Sequence, residues 1–260
     1  MKINLAYFPN ALSNFVYTNK KIVVKRNFSN TDILNRQNQE LIESELRKIS
    51  HENIVLPFRS YFKNKQYTQI TKYIKNTKPI LDIKITAKIF QKIIDTIKDI
   101  QKIKTNGDII KFPYKELLIK FTNKKKFPSK ITQLIDKYYK NNNENVLSQN
   151  DLVSGNILVA KNKLYIIDFE MSALNHYLFD FASFISETLI LKPKLINKFI
   201  KIANFSKNEL IEINELIILQ DYLWMNWANY FYNLTNKIIY QEIYNHKKEN
   251  YENNWFKKYR

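Results

Sequence analysis

Two short stretches decide the fold of this chain: QNDLVSGN at residues 149–156 and IIDFE at residues 166–170. The first places Asp151 and Asn156 with four residues between them, after a polar loop and before a β-rich run. In the second, Asp168 ends an apolar run twelve residues beyond Asn156. Asp and Asn are common turn residues, so either stretch alone would indicate an ordinary loop. Together, in this order and on either side of one predicted hairpin, they indicate a site that performs chemistry.

The spacing of these residues is typical of kinases. Phosphoryl transfer uses one carboxylate to accept the proton of the attacking hydroxyl, and an Asn and a second Asp to hold the magnesium ions that bridge the ATP phosphates. Magnesium prefers a few hard oxygen ligands, which an Asn amide and an Asp carboxylate supply. The sequence therefore predicts a phosphotransferase site built from Asp151, Asn156 and Asp168.

The composition excludes several other classes of protein. The chain has 260 residues, 45% of them hydrophobic and 14% aromatic, which is ample for a buried core. It contains no Cys, which excludes a disulfide scaffold and a cysteine nucleophile, and its three His show no metal-ligand spacing. With only two Gly, it has no GxGxxG or Walker-type phosphate loop.

The formal net charge is +18, but the Lys residues are scattered along the whole chain. Dispersed charge is usually solvated surface, so we expect no nucleic-acid partner, with a polyanion-binding module as the competing interpretation. No apolar run approaches the roughly 18 residues of a membrane helix, and the start of the sequence lacks the features of a signal peptide. We therefore expect no membrane insertion and a cytoplasmic location.

Hydrophobic periodicity divides the chain into a small β-rich part at 1–75, with one helix, and a larger helical part at 76–260 that contains one hairpin. The predicted hairpins lie at 15–25, 54–74 and 156–168, and the predicted helices lie at 33–50, 89–100, 128–140 and beyond Phe179. This pattern predicts an α+β fold.

The motifs resemble those of the choline/ethanolamine kinases within the aminoglycoside phosphotransferase superfamily, along most of the chain. That family's catalytic loop typically reads HNDLxxGN, against QNDLVSGN here, and its metal segment reads IDFE, as at residues 167–170. FDFA at 179–182 is similar to the family's FDIA-like segment. The resemblance implies a bilobal, protein-kinase-like fold, with a nucleotide-binding lobe at 1–75 and a catalytic and substrate-binding lobe at 76–260.

The resemblance also implies a role for each residue of these motifs. Asp151 is the implied catalytic base, Asn156 and Asp168 are the implied magnesium ligands, and Glu170 is a further acid near the metals. Asp180 is expected to brace the catalytic loop rather than to touch substrate. The implied cofactors are ATP and Mg²⁺.

In the N-terminal part, residues 11–14 (ALSN) resemble the family's GGxSN turn, which covers the phosphates. Lys25 stands at the place of the lysine or arginine that grips the ATP phosphates, and it counts among the implied catalytic residues. The expected nucleotide-binding residues are Ser13, Asn14, Lys25, its acidic helix partner Glu40, and the lobe-connecting residues Lys72, Tyr73 and Ile74. Glu43 and Glu45 remain alternatives for the partner of Lys25.

An aromatic cluster follows in the C-terminal part. Trp224 and Trp227 are three residues apart, so they share one face of a predicted helix, and Phe231 continues that face. Indole faces bind quaternary ammonium groups, although an aromatic stripe at helical spacing is also what a plain hydrophobic core produces. Because the pair resembles the tryptophan pair of choline kinases, the resemblance implies that Trp224, Trp227, Glu187 and Asp151 bind the substrate.

These observations predict ATP- and Mg²⁺-dependent transfer of the γ-phosphate to the hydroxyl of choline. The expected partner is a small-molecule substrate, and no obligate protein partner is predicted. The alternatives are a kinase for another small alcohol, such as ethanolamine, thiamine, an aminoglycoside or a sugar, and a degenerate, non-catalytic nucleotide-binding homologue. The last alternative arises from Gln149, where the family has His, and from Asn10 and Ala11, where it usually has Gly.

Overall fold

The computed structural model describes residues 6–8, 14–27, 34, 36–49, 51–63, 66–105, 107–140, 145–161 and 163–260. The strands are β1 Ala6–Phe8, β2 Asn14–Thr18, β3 Ile22–Asn27, β4 Arg59–Lys63, β5 Gln66–Lys72, β6 Lys78–Pro79, β7 Asn145–Ser148, β8 Ile157–Ala160, β9 Lys163–Ile166 and β10 Ala173–His176. The α-helices are α1 Arg36–Ile49, α2 Ala87–Gln101, α3 Tyr114–Thr122, α4 Ser129–Lys140, α5 Phe179–Ser183, α6 Pro193–Ala203, α7 Lys207–Thr235 and α8 Ile238–Asn253. Short helical turns are Ile80–Asp82, Ser154–Asn156 and Trp255–Tyr259, and Phe184–Leu189 is a π-helical turn.

The N-terminal part is a five-stranded antiparallel sheet in the order β1-β2-β3-β5-β4. The structure confirms the first predicted hairpin, β2–β3. Its turn is closed by Thr18, whose hydroxyl donates to the carbonyl of Ile22 over 2.8 Å, and by Asn19, whose Oδ1 accepts from two following amides. This local turn chemistry fixes the register of the pair and places Lys25 in the middle strand of the sheet.

The second predicted hairpin is confirmed only in part, because β4 begins at Arg59 rather than near residue 54. Ile54 instead forms a parallel bridge with Ile166 of β9. The amide of Ile166 donates to the carbonyl of Asn53 over 2.7 Å, and the amide of Val55 donates to the carbonyl of Ile166 over 3.0 Å. These bonds join the N-terminal part to the strand that leads into the IDFE segment.

Helix α1 lies between the two parts of the molecule. Ile42 and Leu46 are buried along one of its faces. Near its first turn, the side-chain amide of Asn38 donates to the carbonyl of Ser172 over 2.9 Å and its Oδ1 accepts from the amide of Ile110 over 3.0 Å. The helix is therefore anchored to the C-terminal part at one end and packs its apolar face inward.

After β5 the chain crosses into a second sheet, of three antiparallel strands in the order β6-β8-β9. Strands β8 and β9 confirm the predicted hairpin at 156–168, and Lys161 in its turn has a positive φ of 53°. A separate antiparallel pair is formed by β7, which precedes the catalytic-loop stretch in sequence, and β10, which follows the IDFE segment. The catalytic-loop stretch at 149–156 therefore connects β7 to β8, and the IDFE segment follows β9.

Helices form the rest of the C-terminal part. In α2 the buried residues Ile93, Ile97 and Ile100 recur at helical spacing, as the sequence predicts. Phe199 of α6 packs edge-on against Phe90 and Phe184, with ring centroids 5.2 and 4.9 Å apart. Within the described part of the chain, no helix has the length and apolar character needed to cross a membrane.

Helices α7 and α8 form a hairpin that packs against α3, α4 and α5. A capping box starts α7: the Ser206 hydroxyl accepts from the amide of Glu209, and the Glu209 carboxylate accepts from the amide of Ser206. Asn236, in a left-handed conformation, ends α7 and turns the chain into α8. The hairpin brings residues of α7 and α8 beside the π-helical turn.

Candidate active site

Asp151 and Asn156 meet in the loop between β7 and β8. The side-chain amide of Asn156 donates to the Oδ2 carboxylate oxygen of Asp151 and to its backbone carbonyl, both over 2.9 Å. The turn Ser154–Asn156 brings the amide back toward the carboxylate. Both protons of the amide therefore point to Asp151, and this leaves the Asn156 Oδ1 for other ligands. The structure brings these two predicted site residues together.

Gln149 connects the catalytic loop to the IDFE segment. Its side-chain Nε2 donates to the backbone carbonyl of Asp168 over 2.7 Å, while its Oε1 accepts from the backbone amide of Asp151 over 2.7 Å. The residue is fully buried, so both bonds are shielded from water. Gln149, which stands where the resembling family has His, therefore holds the candidate base and the candidate metal ligand in one geometry.

Asp180, in the first turn of α5, holds the backbone at the start of the same loop. Its two carboxylate oxygens accept from the backbone amides of Gln149 and Asn150, each over 2.9 Å. Burial raises the pKa of Asp180 to about 6, and these two backbone hydrogen bonds oppose the rise. The prediction that Asp180 braces the loop is confirmed by these contacts.

Asn150 takes a left-handed conformation, with φ 67°. Its side-chain amide donates to the carbonyl of Met171 over 2.9 Å, and its Oδ1 accepts from Asn175, which is bonded in turn to the hydroxyl of Tyr114. All of these polar groups are buried. They form a network that supports the loop, and sequence reasoning missed Asn175 and Tyr114 because neither belongs to a recognisable motif.

Lys25 reaches across from the N-terminal sheet to the IDFE segment. Its Nζ lies 2.6 Å from both carboxylate oxygens of Asp168 and 2.8 Å from the Oε2 of Glu170. Asp168 has a positive φ of 64° directly after β9, which turns its side chain out of the strand. The side-chain amide of Asn14 lies 3.4 Å from both oxygens of Glu170. The predicted residues Lys25, Asp168, Glu170 and Asn14 are therefore grouped at one place.

The electrostatics of this group favour a cation. Burial raises the pKa of Asp151 to about 7; Asp168, Glu187 and Glu170 add to the rise, and Lys25 opposes it. The pKa of Glu170 is raised by burial and by Asp168. Burial alone would lower the pKa of Lys25, but Asp168 and Glu170 raise it above its usual range. The carboxylates outnumber the cation that they hold.

The predicted helix partner of Lys25, Glu40, is wrong. Glu40 is exposed on α1, whereas Lys25 pairs with Asp168 and Glu170. The buried acid of α1 is Glu43, one of the two alternatives, whose Oε1 accepts from Gln69 over 2.8 Å. In this structure Glu43 connects α1 to β5 rather than to Lys25, and burial raises its pKa.

The predicted contacts to the nucleotide base lie in the segment that leaves β5. Lys72 is the last residue of β5, and the backbone amide of Tyr73 donates to the carbonyl of Lys21 over 2.9 Å. The carbonyl of Ile74 accepts from the hydroxyl of Thr77 over 3.1 Å. The Tyr73 amide is therefore already used by the N-terminal sheet. Ser13 and the departures at Asn10 and Ala11 lie outside the described residues.

The π-helical turn Phe184–Leu189 packs against the catalytic loop next to Asp151, the candidate catalytic base. The Thr188 hydroxyl donates to the carbonyl of Leu152 over 2.8 Å, and the Leu152 amide donates to the hydroxyl of Ser183 over 3.1 Å. Glu187 belongs to this turn, next to Thr188. Its carboxylate is paired with the Nζ of Lys247 at 2.5 Å, which the sequence did not predict.

Trp224 and Trp227 lie on α7 and are partly buried. Their rings meet edge to face with centroids 5.9 Å apart, and Trp227 also contacts Phe231 and Tyr240 at 5.3 and 5.4 Å. Both tryptophans pack against the hydrophobic core, and the indole Nε1 of Trp227 is buried without a hydrogen-bond partner among the described residues. Trp227 therefore packs against α8 and Trp224 packs against Trp227, and these two rings together form an aromatic wall on α7.

The acids of the site do not form a metal centre by themselves. Among the described residues, no group of three or more His, Asp or Glu side chains is arranged to hold a metal ion. A magnesium site does not require such a group, because that ion usually binds one or two carboxylates and takes its other ligands from phosphates and water. The oxygens of Asp168, Glu170 and Asn156 have the right chemistry for that ion, and the first two already hold a cation, the Lys25 ammonium.

Comparisons with solved structures show the same fold. The choline kinase LicA from Streptococcus pneumoniae is 17% identical with a TM-score of 0.74, over 98% of this chain and 94% of that chain. A choline/ethanolamine kinase family protein from Mesorhizobium loti is 13% identical with a TM-score of 0.66, over 96% and 87%. Amicoumacin kinase hAmiN is 13% identical with a TM-score of 0.67, over 96% and 88%. These likenesses confirm the predicted bilobal, protein-kinase-like α+β fold.

Sequence comparison found no match among curated proteins. A family model does match: Choline/ethanolamine kinase, over residues 21–228. The matched range includes Lys25, the catalytic loop, the IDFE segment and both tryptophans of α7. Such a match supports a small-molecule kinase that phosphorylates an alcohol. The chain belongs to the choline/ethanolamine kinase family.

Proposed function

We propose that this chain transfers the γ-phosphate of ATP to the hydroxyl of choline, with Mg²⁺ as cofactor. One observation carries the proposal: residues far apart in sequence converge as phosphoryl transfer requires. Lys25 is bonded to Asp168, and Asp151 is bonded to Asn156 and tied to Asp168 through Gln149.

Asp151 is proposed as the general base. Because its Oδ2 accepts from Asn156, its Oδ1 is the oxygen that takes the proton of the acceptor hydroxyl as the new O–P bond forms. A pKa of about 7 suits this task, since the carboxylate is then ionised for a large share of the molecules near neutral pH and still accepts a proton readily. Gln149 keeps the backbone of Asp151 in place during the transfer.

The nucleotide side of the proposal uses the residues around Lys25. Asn156, Asp168 and Glu170 would hold Mg²⁺, which when bound neutralises charge on the phosphates. Lys25 is held by Asp168 and Glu170 in this structure, and we expect its ammonium to contact the phosphates when the nucleotide is bound. The amicoumacin kinase that shares the fold is described in complex with AMP-PNP, an ATP analogue, and Ca²⁺. This description supports ATP as the donor.

Choline is proposed as the acceptor on the basis of the family and the aromatic wall. A quaternary ammonium gains about 2 kcal/mol or more from a desolvated indole face. Trp224 and Trp227 are partly buried on α7, the helix that also carries Asp221 next to the π-helical turn. Glu187 is less suited than the sequence suggested to act as the counter-charge of choline, because Lys247 already neutralises it in part.

The test is ADP release by the purified protein with ATP and Mg²⁺, measured with choline, ethanolamine, an aminoglycoside and no acceptor. Choline-dependent release that is lost in Asp151→Asn supports the proposal. Release that depends on another acceptor would redirect it to that alcohol, and no dependence on any acceptor would support the non-catalytic homologue.

A second experiment tests the aromatic wall. We expect Trp224→Ala and Trp227→Ala to raise the KM for choline by about tenfold or more, since each removes a face worth about 2 kcal/mol, and to leave the KM for ATP unchanged. Phe58→Ala, an exposed aromatic residue in the N-terminal part, is the matched control and should change neither value. Equal losses for choline and ATP would contradict a specific role for the wall.

The intact site argues against a degenerate homologue. A chain that had lost catalysis would have no need to keep Asp151, a carboxylate whose pKa is raised to about 7 by burial and by neighbouring acids. Gln149 forms both bonds that a bracing residue needs at this place, to the amide of Asp151 and to the carbonyl of Asp168. The departure from His is therefore compatible with catalysis.

A further inference from the structure

A buried ion cluster lies beside the candidate base, and no sequence motif predicts it. Lys247 of α8 is 5% exposed, and its Nζ lies 2.5 Å from the Oε1 of Glu187 and 3.0 Å from the Oδ1 of Asp221. Glu187 comes from the π-helical turn and Asp221 from α7. The three charges therefore join three separate elements and sum to one net negative charge.

The two carboxylates of the cluster have further polar partners. The hydroxyl of Ser186 donates to Glu187 over 3.2 Å, and the indole N–H of Trp255 lies 3.4 Å from the Oδ2 of Asp221. Burial would lower the pKa of Lys247, but Glu187 and Asp221 raise it above its usual range, so the ammonium stays charged. Buried charges persist only when they are paired and hydrogen-bonded, and this cluster meets that condition.

The cluster adjoins the proposed acceptor site on two sides. Glu187 precedes Thr188, whose hydroxyl is bonded to the carbonyl of Leu152, the residue after the candidate base. Asp221 lies three residues before Trp224 on α7, and therefore on the same side of that helix. Glu187 is also close enough to Asp151 to raise the pKa of that carboxyl, so the cluster is near the candidate base and shares α7 with the aromatic wall.

We propose that Lys247 is a specificity-determining residue, an internal ammonium that occupies the carboxylate end of the acceptor pocket and limits its charge to one net negative. This inference rests on the proposed function. Burial already raises the pKa of Asp221 to about 6, and Lys247 opposes that rise. Without Lys247, at an alkaline pH where both carboxylates are ionised, Glu187 and Asp221 together would present two negative charges and would attract cationic alcohols in proportion to their charge. With it, the pocket suits an alcohol that carries a single positive charge, recognised mainly by the aromatic faces.

The test compares choline with its uncharged carbon analogue, 3,3-dimethylbutan-1-ol, which has nearly the same shape. The measured quantity is the ratio of kcat/KM for choline to kcat/KM for the analogue, so that partial loss of folded protein cancels. One unit charge within about 10 Å of the acceptor, at an effective dielectric of about 20, changes this ratio by about tenfold. With the assay at an alkaline pH, where both carboxylates are ionised, we expect Lys247→Met to raise the ratio by about tenfold and Asp221→Asn to lower it by a similar factor.

Lys248→Met is the matched control. Lys248 is the next residue on α8, it is exposed, and it lies 3.9 Å from Glu252, away from the cluster. Its exchange removes the same charge from the surface and should leave the ratio unchanged. Asp221→Asn keeps the pair between Lys247 and Glu187, so it provides a folded variant even where Lys247→Met destabilises the protein. Ratios within twofold of the parent in both cluster variants would overturn the proposal.

Binding of tetramethylammonium separates this inference from the proposed function. If the parent protein phosphorylates no acceptor, the proposed function fails, but the shift in melting temperature with tetramethylammonium still reports the charge of the pocket. The expected order of affinity is Lys247→Met, then the parent, then Asp221→Asn. Equal shifts in all three proteins, or no shift in any, would overturn the role of Lys247.

Discussion

Replacing the candidate base with its neutral amide should stabilise the folded protein, by an amount that grows with pH. Burial raises the pKa of Asp151 from 3.8 to about 7, and the neighbouring carboxylates of Asp168, Glu187 and Glu170 add to the rise. The folded protein therefore binds the proton of this carboxyl more tightly than the unfolded chain does. Asp151→Asn removes the charge and keeps the shape of the side chain.

The sign and size follow from the two pKa values. Because the folded pKa is the higher one, the stability that this group contributes is complete below about pH 4 and is lost as the pH rises to about 7. At about 1.4 kcal/mol for each pKa unit, the parent loses at most about 2 kcal/mol of unfolding free energy between about pH 5.5 and pH 8. Asn carries no charge in either state, so the advantage of the variant widens by about the same amount.

The assay is urea denaturation of both proteins at the two pH values, with EDTA present so that bound cations do not offset the repulsion. Asp108→Asn, the exchange of an exposed carboxylate far from these acids in sequence, is the control and should leave the free energy of unfolding unchanged. An advantage of Asp151→Asn that stays constant with pH, or narrows toward alkaline pH, would refute this account of the crowded carboxylates.

Three further exchanges test other contacts. Gln149→Leu leaves a backbone amide and a carbonyl unpaired, so it should cost about 2–4 kcal/mol of stability by urea denaturation and abolish turnover, while Gln149→His should retain both bonds and most activity. Lys25→Met leaves Asp168 and Glu170 facing each other, so stability should fall by about 2 kcal/mol and recover in part with Mg²⁺ in the same titration. Gly155→Ala should leave the melting temperature unchanged, because an added Cβ meets nothing within 4 Å, and a rise in the KM for ATP would show that the nucleotide uses this space.

Much of the fold could be predicted from the sequence because its signals are local. The β2–β3 hairpin depends on the side chains of its own turn, and α2 on a regular stripe of isoleucines. The catalytic loop was predictable for the same reason, since Asp151 and Asn156 are close in sequence and bond directly to each other. Short-range chemistry determines these elements whatever surrounds them.

Features that depend on tertiary packing were missed or wrong. Glu40 and Glu43 both lie on α1, but the buried face of that helix includes Gln39, Glu43 and Leu46, at positions four and three residues apart, and this excludes Glu40. The cluster of Lys247 with Glu187 joins residues 60 positions apart, a pairing that no local pattern records. In both cases the packing of the helices determines which side chains meet.

The low glycine content of this chain means that other residues adopt the left-handed conformation, both at helix ends and in the candidate site. Neither of its two glycines has a positive φ, and Asn takes that conformation at the ends of α3, α6, α7 and α8, where Gly is the usual residue. Asn is among the few residues that tolerate it at low cost, so these helix ends need no compensation. Asp168 takes the same conformation, which Asp tolerates as Asn does, and its backbone carbonyl accepts from the side chain of Gln149. The positive φ therefore lets the carboxylate of Asp168 meet Lys25 directly after β9, and the hydrogen bond from Gln149 to the carbonyl holds the backbone in that geometry.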